Sequence, residues 1–206
     1  NLSRSFSTYG TLRRSPDTFS GHPAFRQATL IGGVDAYDIG SIKNVIDSVK
    51  PEVVINSIGI VKQLPEAHDP VRSITINSLF PHQVADLCSK NGIRFIHYST
   101  DCVFSGMKGN YREDDFPDAD DLYGRSKLLG EVTGKGCLTL RTSLIGREIG
   151  TSHGLIEWFL AQEGKQVRGY DQAFFSGLTT NAHAGIVTRI ITGYPELHGL
   201  FHLAAP

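Results

Sequence analysis

The sequence of 206 residues contains few cysteines, no excess of charge of either sign and no long apolar run. Its three cysteines are odd in number and widely spaced, which fits neither a disulfide framework nor a CxxC metal site, so we expect a reducing cytoplasm as its location. No apolar stretch is long enough to span a bilayer, and no secretory signal is visible, so we expect no membrane partner. A formal net charge of −1 without a basic run gives no reason to expect nucleic acid as a partner.

The eight histidines are scattered, and they form neither an HExxH motif nor a cluster with the cysteines. The sequence therefore predicts no metal site built from protein ligands alone. It leaves open whether a divalent ion such as Mg²⁺ helps to bind a pyrophosphate group or to bridge subunits.

Short apolar, β-branched runs alternate with segments of helical periodicity along most of the chain. Strands are predicted at Ala28–Ile31, Glu52–Asn56, Arg94–Tyr98, Cys137–Arg141, Gln166–Arg168 and Leu200–Leu203, and helices at Ser41–Val49, Pro70–Lys90, Asp121–Glu131, Gly154–Gln162 and Asn181–Thr192. Regular alternation of strand and helix, with strands apolar on both faces, predicts an α/β fold with a doubly wound parallel sheet.

Polar residues end three of the predicted strands, at Asn56-Ser57, Ser99-Thr100 and Arg141-Thr-Ser143. Ligands of parallel sheets bind at the carboxyl ends of strands. Tyr123 and Lys127 stand one turn apart on the helix that follows Thr100, so a phenol, an ammonium and a hydroxyl are expected to converge. Each signal alone also has an ordinary explanation, because polar residues end most strands and a Tyr–Lys pair four residues apart is common.

The chemistry of these three groups is that of a carbonyl reductase. A lysine cation near a tyrosine favours the phenolate, and we expect it to lower the tyrosine pKa from about 10 towards working pH. Such a phenol can donate a proton to a carbonyl or accept one from an alcohol.

The chain resembles the extended short-chain dehydrogenase/reductase family, and within it the sugar-nucleotide reductases of the dTDP-4-dehydrorhamnose reductase type. The segments that carry the resemblance are Tyr98–Gly106, Gly109–Glu113 and Tyr123–Glu131, in that order. The resemblance implies a Rossmann-like NAD(P)-binding domain over residues 1–143. It implies a small, partial substrate-binding lobe over residues 144–206, interleaved with the last strands of the sheet.

By this resemblance the substrate is a nucleotide sugar with a keto group at C4. Tyr123 would protonate the keto oxygen as hydride arrives from the nicotinamide, and Lys127 would lower the pKa of Tyr123 and hold the nicotinamide ribose. Thr100 would orient the carbonyl, and Asn77 would help to organise the proton path. The implied substrate contacts are Ser99, Asp101, Asp171 and Gln172.

The resemblance also implies a set of cofactor contacts. Arg13 and Arg14 follow Thr8–Leu12, which resembles the strand whose end meets the adenosine ribose. Arginine there accommodates the 2′-phosphate, so NADPH is predicted in preference to NADH. Asp35 matches a position that contacts adenine, whereas Asp38 is expected to cap the following region. The remaining implied contacts are Asn56, Ser57, Ile58, Tyr123, Lys127 and Arg141.

Two departures from the family pattern affect these predictions. The glycine-rich turn that cradles a pyrophosphate is missing, so we expect a fragment without the first strand and glycine loop of the domain. Related dehydratases follow the threonine with Asp-Glu, whereas Asp101-Cys102 follows Thr100 here, which favours reduction over dehydration. We expect Cys102 to be a small buried hydrophobe.

The predicted function is therefore NADPH-dependent reduction of a 4-keto-6-deoxy sugar nucleotide for surface polysaccharide synthesis. Two alternatives stay open. One is a sugar-nucleotide epimerase of the same family, which uses the same residues but returns the hydride. The other is a non-catalytic NADP-binding regulatory subunit, because a fold does not determine a function. Whether the protein is a homodimer also stays open.

Overall fold

The computed structural model describes residues 2–19, 21–152 and 154–205, which fold as parallel β-strands joined by helices. The strands are β1 (Thr8–Thr11), β2 (Ala28–Ile31), β3 (Val53–Asn56), β4 (Arg94–Ser99), β5 (Cys137–Arg141), β6 (Leu144–Ile145), β7 (Leu178–Thr179) and β8 (Gly199–His202). The helices are α1 (Ile39–Val49), α2 (Pro70–Ser73), α3 (Phe80–Lys90), α4 (Leu122–Leu129), α5 (Leu155–Leu160) and α6 (Thr180–Gly193). A π-helical turn, Ile74–Leu79, joins α2 to α3, and 3-10 turns cover Leu2–Arg4, Pro16–Phe19, Pro23–Phe25, Pro65–His68 and Asp101–Val103.

The main sheet has four parallel strands in the order β3-β4-β5-β8. A second parallel pair is formed by β1 and β2, and a third by β6 and β7. In the register of the main sheet, Ser99 of β4 lies beside Arg141 of β5, which lies beside His202 of β8. The carboxyl ends of these three strands therefore meet at one edge, where parallel sheets bind their ligands.

Apolar side chains cover both faces of the main sheet. On one face Phe95 packs in a cluster with residues of α1 and α3. On the other face Ile96 and Leu138 pack with Val187 of α6. All four side chains are fully buried, and each contributes ~1.5–3 kcal/mol by leaving water. The α/β fold with a doubly wound parallel sheet, predicted from the alternation of strand and helix, is confirmed.

Most predicted elements agree with the structure, and one is wrong. Ala28–Ile31 and Cys137–Arg141 have the predicted bounds. The strand predicted at Gln166–Arg168 is wrong, because this segment is irregular and exposed, and β6 pairs with β7 instead. Val167 is the single apolar residue of the segment, which is too little apolar surface to hold it against a neighbouring strand. The division of the chain at residue 143 stays a prediction.

Side chains cap the helices that border the ligand-binding edge. The Asp38 carboxylate accepts a hydrogen bond from the backbone N–H of Gly40, so the prediction that it caps the following region is confirmed. Asp121 caps α4 in the same way, through the N–H of Gly124 at 2.7 Å. Thr179 caps α6 through the N–H of Ala182 at 3.2 Å. These caps fix where each helix begins.

The end of α4 lies against the π-helical turn at a distance that only glycine permits. A Cβ atom added to Gly130 would lie 1.9 Å from the carbonyl oxygen of Asn77. The Ser78 hydroxyl donates to the carbonyl of Ser126 at 2.7 Å, which holds the same two segments together. The position of α4 is therefore set by backbone contact rather than by apolar side chains.

We expect Gly130→Ala to destabilise the protein by about 1–3 kcal/mol, the usual range for overpacking a filled interior. Gly134→Ala is the matched control, because a Cβ atom at Gly134 meets nothing within 4 Å. Urea denaturation of both variants measures the difference. Equal unfolding free energies in the two variants would contradict the close backbone contact.

His97 is a buried histidine on β4, and its environment determines its tautomer. The Asn56 side-chain oxygen accepts a hydrogen bond from the N–H of Ile58, so its amide nitrogen faces the ring and donates to His97 Nδ1 at 3.1 Å. We therefore assign the ring proton to Nε2. Burial, together with the nearby Lys127 and His82, lowers the pKa of His97 to about 3.

This histidine should make the stability of the fold depend on pH. Below pH ~6.5 the unfolded chain binds a proton at His97 that the folded chain accepts only near pH 3. The free energy of unfolding should therefore fall as pH decreases between these values, by up to ~1.4 kcal/mol per pH unit from this residue. His97→Gln should show a shallower decrease, and His198→Gln, at an exposed position, should keep the original slope. Equal slopes for both variants in denaturant titrations would contradict the assignment.

Candidate active site

Tyr123 and Lys127 lie on α4, which lies beside the carboxyl end of β4. The Lys127 side chain is buried, with only 5% of the residue exposed. Its ammonium donates to the carbonyl oxygen of Tyr98 on β4 at 2.6 Å. The amine of Lys127 is thus held at the strand end from which Ser99 and Thr100 emerge, as the sequence predicts for a converging site.

Thr100 supplies the hydroxyl of the site. It begins the 3-10 turn Asp101–Val103, and its Oγ1 accepts a hydrogen bond from the N–H of Cys102 at 3.1 Å. The same hydroxyl donates to the Asp101 carboxylate at 3.2 Å, and it lies close enough to the Tyr123 phenol to lower the pKa of that phenol. A Cβ atom at Gly124 would lie 2.3 Å from the carbonyl of Cys102, so α4 and this turn are in close contact. The structure therefore brings Thr100, Tyr123 and Lys127 together.

The electrostatics of the site differ from the prediction. Burial raises the pKa of Tyr123 to about 12, and the hydrogen bond with Thr100 opposes this rise. Burial lowers the pKa of Lys127 to about 8, and the carboxylate of Glu131 opposes that fall. The predicted lowering of the Tyr123 pKa by Lys127 is wrong in this structure, because burial dominates. The phenol is therefore neutral at working pH, which is the form that donates a proton.

Asn77 lies in the π-helical turn, and its side-chain amide is fully engaged. Its Oδ1 accepts from the N–H of Ile60 at 2.8 Å, and its Nδ2 donates to the carbonyl of Ile60 and to the hydroxyl of Ser126. These bonds fasten the loop after β3 to α4. The predicted role of Asn77 in a proton path stays a prediction, whereas its role in holding this loop is visible.

Other residues predicted to contact the cofactor lie at or after the ends of three strands, namely β3, β1 and β2. Ser57 and Ile58 form an exposed loop after β3, and Asn56 below them is buried against His97. Arg13 and Arg14 are exposed just beyond the end of β1. Asp35 is half-buried, and its carboxylate accepts a hydrogen bond from the N–H of Tyr37.

Arg141 and Ser99 are both buried, and their polar groups bind other residues of the chain. The Arg141 guanidinium forms a bidentate ion pair with Glu131, and the Ser99 hydroxyl donates to the same carboxylate at 2.7 Å. Neither polar group faces solvent, and cofactor binding by Arg141 and substrate binding by Ser99 stay predictions.

The other predicted substrate contacts are exposed. Asp101 accepts a hydrogen bond from the Ser143 hydroxyl at 2.6 Å, which joins the ends of β4 and β5. Asp171 and Gln172 lie in the irregular segment between α5 and β7, and the structure does not bring them into contact with the three central residues. Asp101 is thus an exposed predicted substrate contact next to the site.

Sequence analysis missed two residues beside the site. Glu131 lies four residues after Lys127, and this helical spacing is the signal that could have identified it. Lys62 reaches across from the loop after β3 and pairs with Asp121 at the start of α4, at 2.5 Å. No sequence pattern links Lys62 to Asp121. Cys102 was expected to be buried, but it is partly exposed.

The described part of the chain contains neither a cluster of three His, Cys, Asp or Glu side chains that could hold a metal ion nor a helix suited to crossing a membrane.

The surroundings of Gly59 indicate whether a dinucleotide has space beside Lys127. A Cβ atom there would lie 3.4 Å from Asn77 Oδ1 and 3.8 Å from the Lys127 ammonium. The absence of a side chain at Gly59 leaves open the surface beside Lys127, which fits a ligand lying along the loop after β3.

Comparisons with known proteins agree with this geometry. The spore coat polysaccharide biosynthesis protein SpsK of Bacillus subtilis is 29% identical over 175 residues, which are 81% of this chain and 60% of SpsK. The dTDP-4-dehydrorhamnose reductase of Salmonella typhimurium is 26% identical, over 82% of this chain and 60% of that enzyme. The chain thus spans about 60% of the length of these two relatives.

A similar solved structure is the dTDP-4-dehydrorhamnose reductase of Bacillus anthracis in complex with NADP. Its TM-score is 0.75 at 17% identity, over 97% of this chain and 75% of that chain, which is a likeness of fold. Residues 15–206 match the family model described as the RmlD substrate binding domain. The resemblance found in the sequence is therefore confirmed, and the chain belongs to the RmlD substrate binding domain family, among the extended short-chain dehydrogenases/reductases.

Proposed function

We propose that this protein reduces a 4-keto-6-deoxy sugar nucleotide with NADPH, in the cytoplasm, for the synthesis of a surface polysaccharide. The observation that carries the proposal is the half-buried Tyr123 phenol, which lies beside the Thr100 hydroxyl and one turn from Lys127 at the carboxyl edge of a parallel sheet. The names of the relatives support the substrate class.

The chemistry follows from the protonation states at the site. The bound nicotinamide supplies the hydride that adds to the keto carbon, and the carbonyl electron pair then needs a proton. The neutral phenol of Tyr123 donates that proton to the oxygen, while the Thr100 hydroxyl hydrogen-bonds to the same oxygen and orients it. Lys127, as a cation, stabilises the phenolate that remains until solvent protons restore it.

The cofactor would lie along the loop after β3. Ser57, Ile58 and Gly59 would line its nicotinamide half, because this loop is exposed and Gly59 leaves space beside Lys127. Arg13 and Arg14 would bind the 2′-phosphate of NADPH, since their guanidinium groups are exposed beyond β1 and suit a phosphate.

Tyr123→Phe in the full-length protein should lower the turnover number for keto-sugar nucleotide reduction by at least ~10²-fold, because the proton donor is removed. The affinity for NADPH should change little. Tyr194→Phe, which alters an exposed tyrosine outside the site, is the control for loss of a phenol. Rates follow from NADPH absorbance, with product analysis in parallel. Unchanged turnover in Tyr123→Phe would remove this residue from the mechanism.

The same product analysis tests the alternatives. Net oxidation of one NADPH for each alcohol formed supports reduction. Isomerisation of the sugar without net oxidation would identify an epimerase. Tight binding of NADPH with no turnover of any keto-sugar nucleotide would instead identify a non-catalytic binding subunit.

The double variant Arg13→Ala/Arg14→Ala should weaken NADPH binding by about tenfold or more and leave NADH binding nearly unchanged, because only NADPH carries the 2′-phosphate. Arg189→Ala, at an exposed position on α6, is the matched control for loss of surface charge. Fluorescence titration measures both affinities. An equal loss for the two cofactors would contradict the assignment of these arginines.

A further inference from the structure

Glu131 is a buried carboxylate that the mechanism above does not use. Its side chain is 8% exposed, and that of its partner Arg141 is 4% exposed. Arg141 Nε donates to Glu131 Oε1 and Arg141 Nη2 to Oε2, both at 2.8 Å. A bidentate pair of this kind fixes the orientation of both groups. A buried ion pair seldom stabilises a fold more than apolar residues would. The role of this pair is therefore to be sought in the groups that it positions.

The pair joins three elements at the active site. Glu131 follows the end of α4, Arg141 ends β5, and Ser99, whose hydroxyl donates to Glu131 Oε1 at 2.7 Å, ends β4. Ser99 stands between Tyr98, whose carbonyl holds the Lys127 ammonium, and Thr100. The Glu131 carboxylate therefore holds Ser99 in place. The residue before Ser99 binds the Lys127 ammonium through its carbonyl, and the residue after it is Thr100.

We propose that Glu131 is a positioning residue of the reductase site. Held by Arg141 and Ser99, its carboxylate fixes Thr100 relative to α4 and keeps a negative charge near the Lys127 ammonium. This inference rests on the function proposed above. It predicts that Lys127 loses its proton at lower pH once the negative charge of Glu131 is removed.

The charged groups around Lys127 favour this role. Burial lowers the pKa of Lys127 to about 8, and Glu131 is the carboxylate that opposes this fall among the described residues. On β4, His97 faces the same region but is neutral, because burial lowers its pKa to about 3. His82 of α3 lies near His97, and its ring nitrogen Nε2 is 2.8 Å from the carbonyl oxygen of Leu129.

Arg141 also contacts a residue of β8 and a residue of the loop before α4. Its Nη1 lies 3.4 Å from His202 Nε2, and its guanidinium lies over the Phe104 ring at 5.0 Å. The Glu113 carboxylate accepts from the N–H of His202 at 2.8 Å. These groups also hold Arg141 in place, and Glu131 joins its guanidinium to the Ser99 hydroxyl.

The first test is Glu131→Gln, which keeps the shape of the side chain and removes its charge. The alkaline limb of the kcat/KM profile should move to lower pH, because Lys127 then loses its proton more readily. At pH 8 the kcat/KM of the variant, relative to its own value at pH 6.5, should fall by about threefold or more. Glu163→Gln, at an exposed position, is the matched control and should keep the original profile.

Glu131→Gln leaves the Arg141 charge buried without a partner, which destabilises the fold, so a second variant is needed. Glu131→Leu/Arg141→Met removes both charges and restores an apolar interior. This double variant should remain folded and show the same shift of the alkaline limb. A folded double variant with the original profile would overturn the proposal.

A measurement independent of turnover separates this inference from the proposed function. The ¹³C chemical shift of Lys127 Cε, followed by NMR against pH, reports its protonation directly. Titration at lower pH in both Glu131 variants than in the unaltered protein supports the inference, even if no keto-sugar nucleotide is reduced, in which case only the proposed function fails. Titration at the same pH in all three proteins would overturn it.

Discussion

The ion pair between Glu131 and Arg141 is the interaction on which the geometry of the site depends. It is buried at the point where α4, β4 and β5 meet, and it has no counterpart of similar burial in the described part of the chain. Removing water from two charges is costly, so the pair persists only because its hydrogen bonds are complete. Through Ser99 it also fixes the backbone next to Thr100. Two of the three groups proposed for catalysis, Thr100 and Lys127, thus lie next to this ion pair along β4.

The second constraint is steric and acts at Gly130, at the end of α4. Gly130 lies against the carbonyl of Asn77, and the π-helical turn that carries Asn77 also binds the loop after β3 through Ile60. The loop proposed to line the cofactor site and the helix that carries the proton donor are therefore fixed by one polar residue. Catalysis depends strongly on the proximity of the proton donor and the hydride source. Holding the loop after β3 and α4 together therefore favours the proposed reaction.

Sequence patterns predicted much of the fold because hydrophobic periodicity is local. The strands that hold the site, β4 and β5, and the helix α4 were located from runs of a few residues. The convergence of Thr100, Tyr123 and Lys127 followed from the rule for parallel sheets. The burial of Arg141 and Ser99 could not be predicted, because it depends on a partner, Glu131, that meets them only in the folded chain. The raised pKa of Tyr123 depends in the same way on surroundings contributed by several elements.

The central claim is that Thr100 and Tyr123 hold the oxygen of a sugar ketone. The most direct test is a crystal structure of the full-length protein with NADP⁺ and a 4-keto-6-deoxy sugar nucleotide, a pair that cannot react because the cofactor is already oxidised. The account predicts the keto oxygen at hydrogen-bonding distance, about 2.6–3.2 Å, from both the Tyr123 phenol and the Thr100 hydroxyl. A bound ketone in contact with neither group would contradict it.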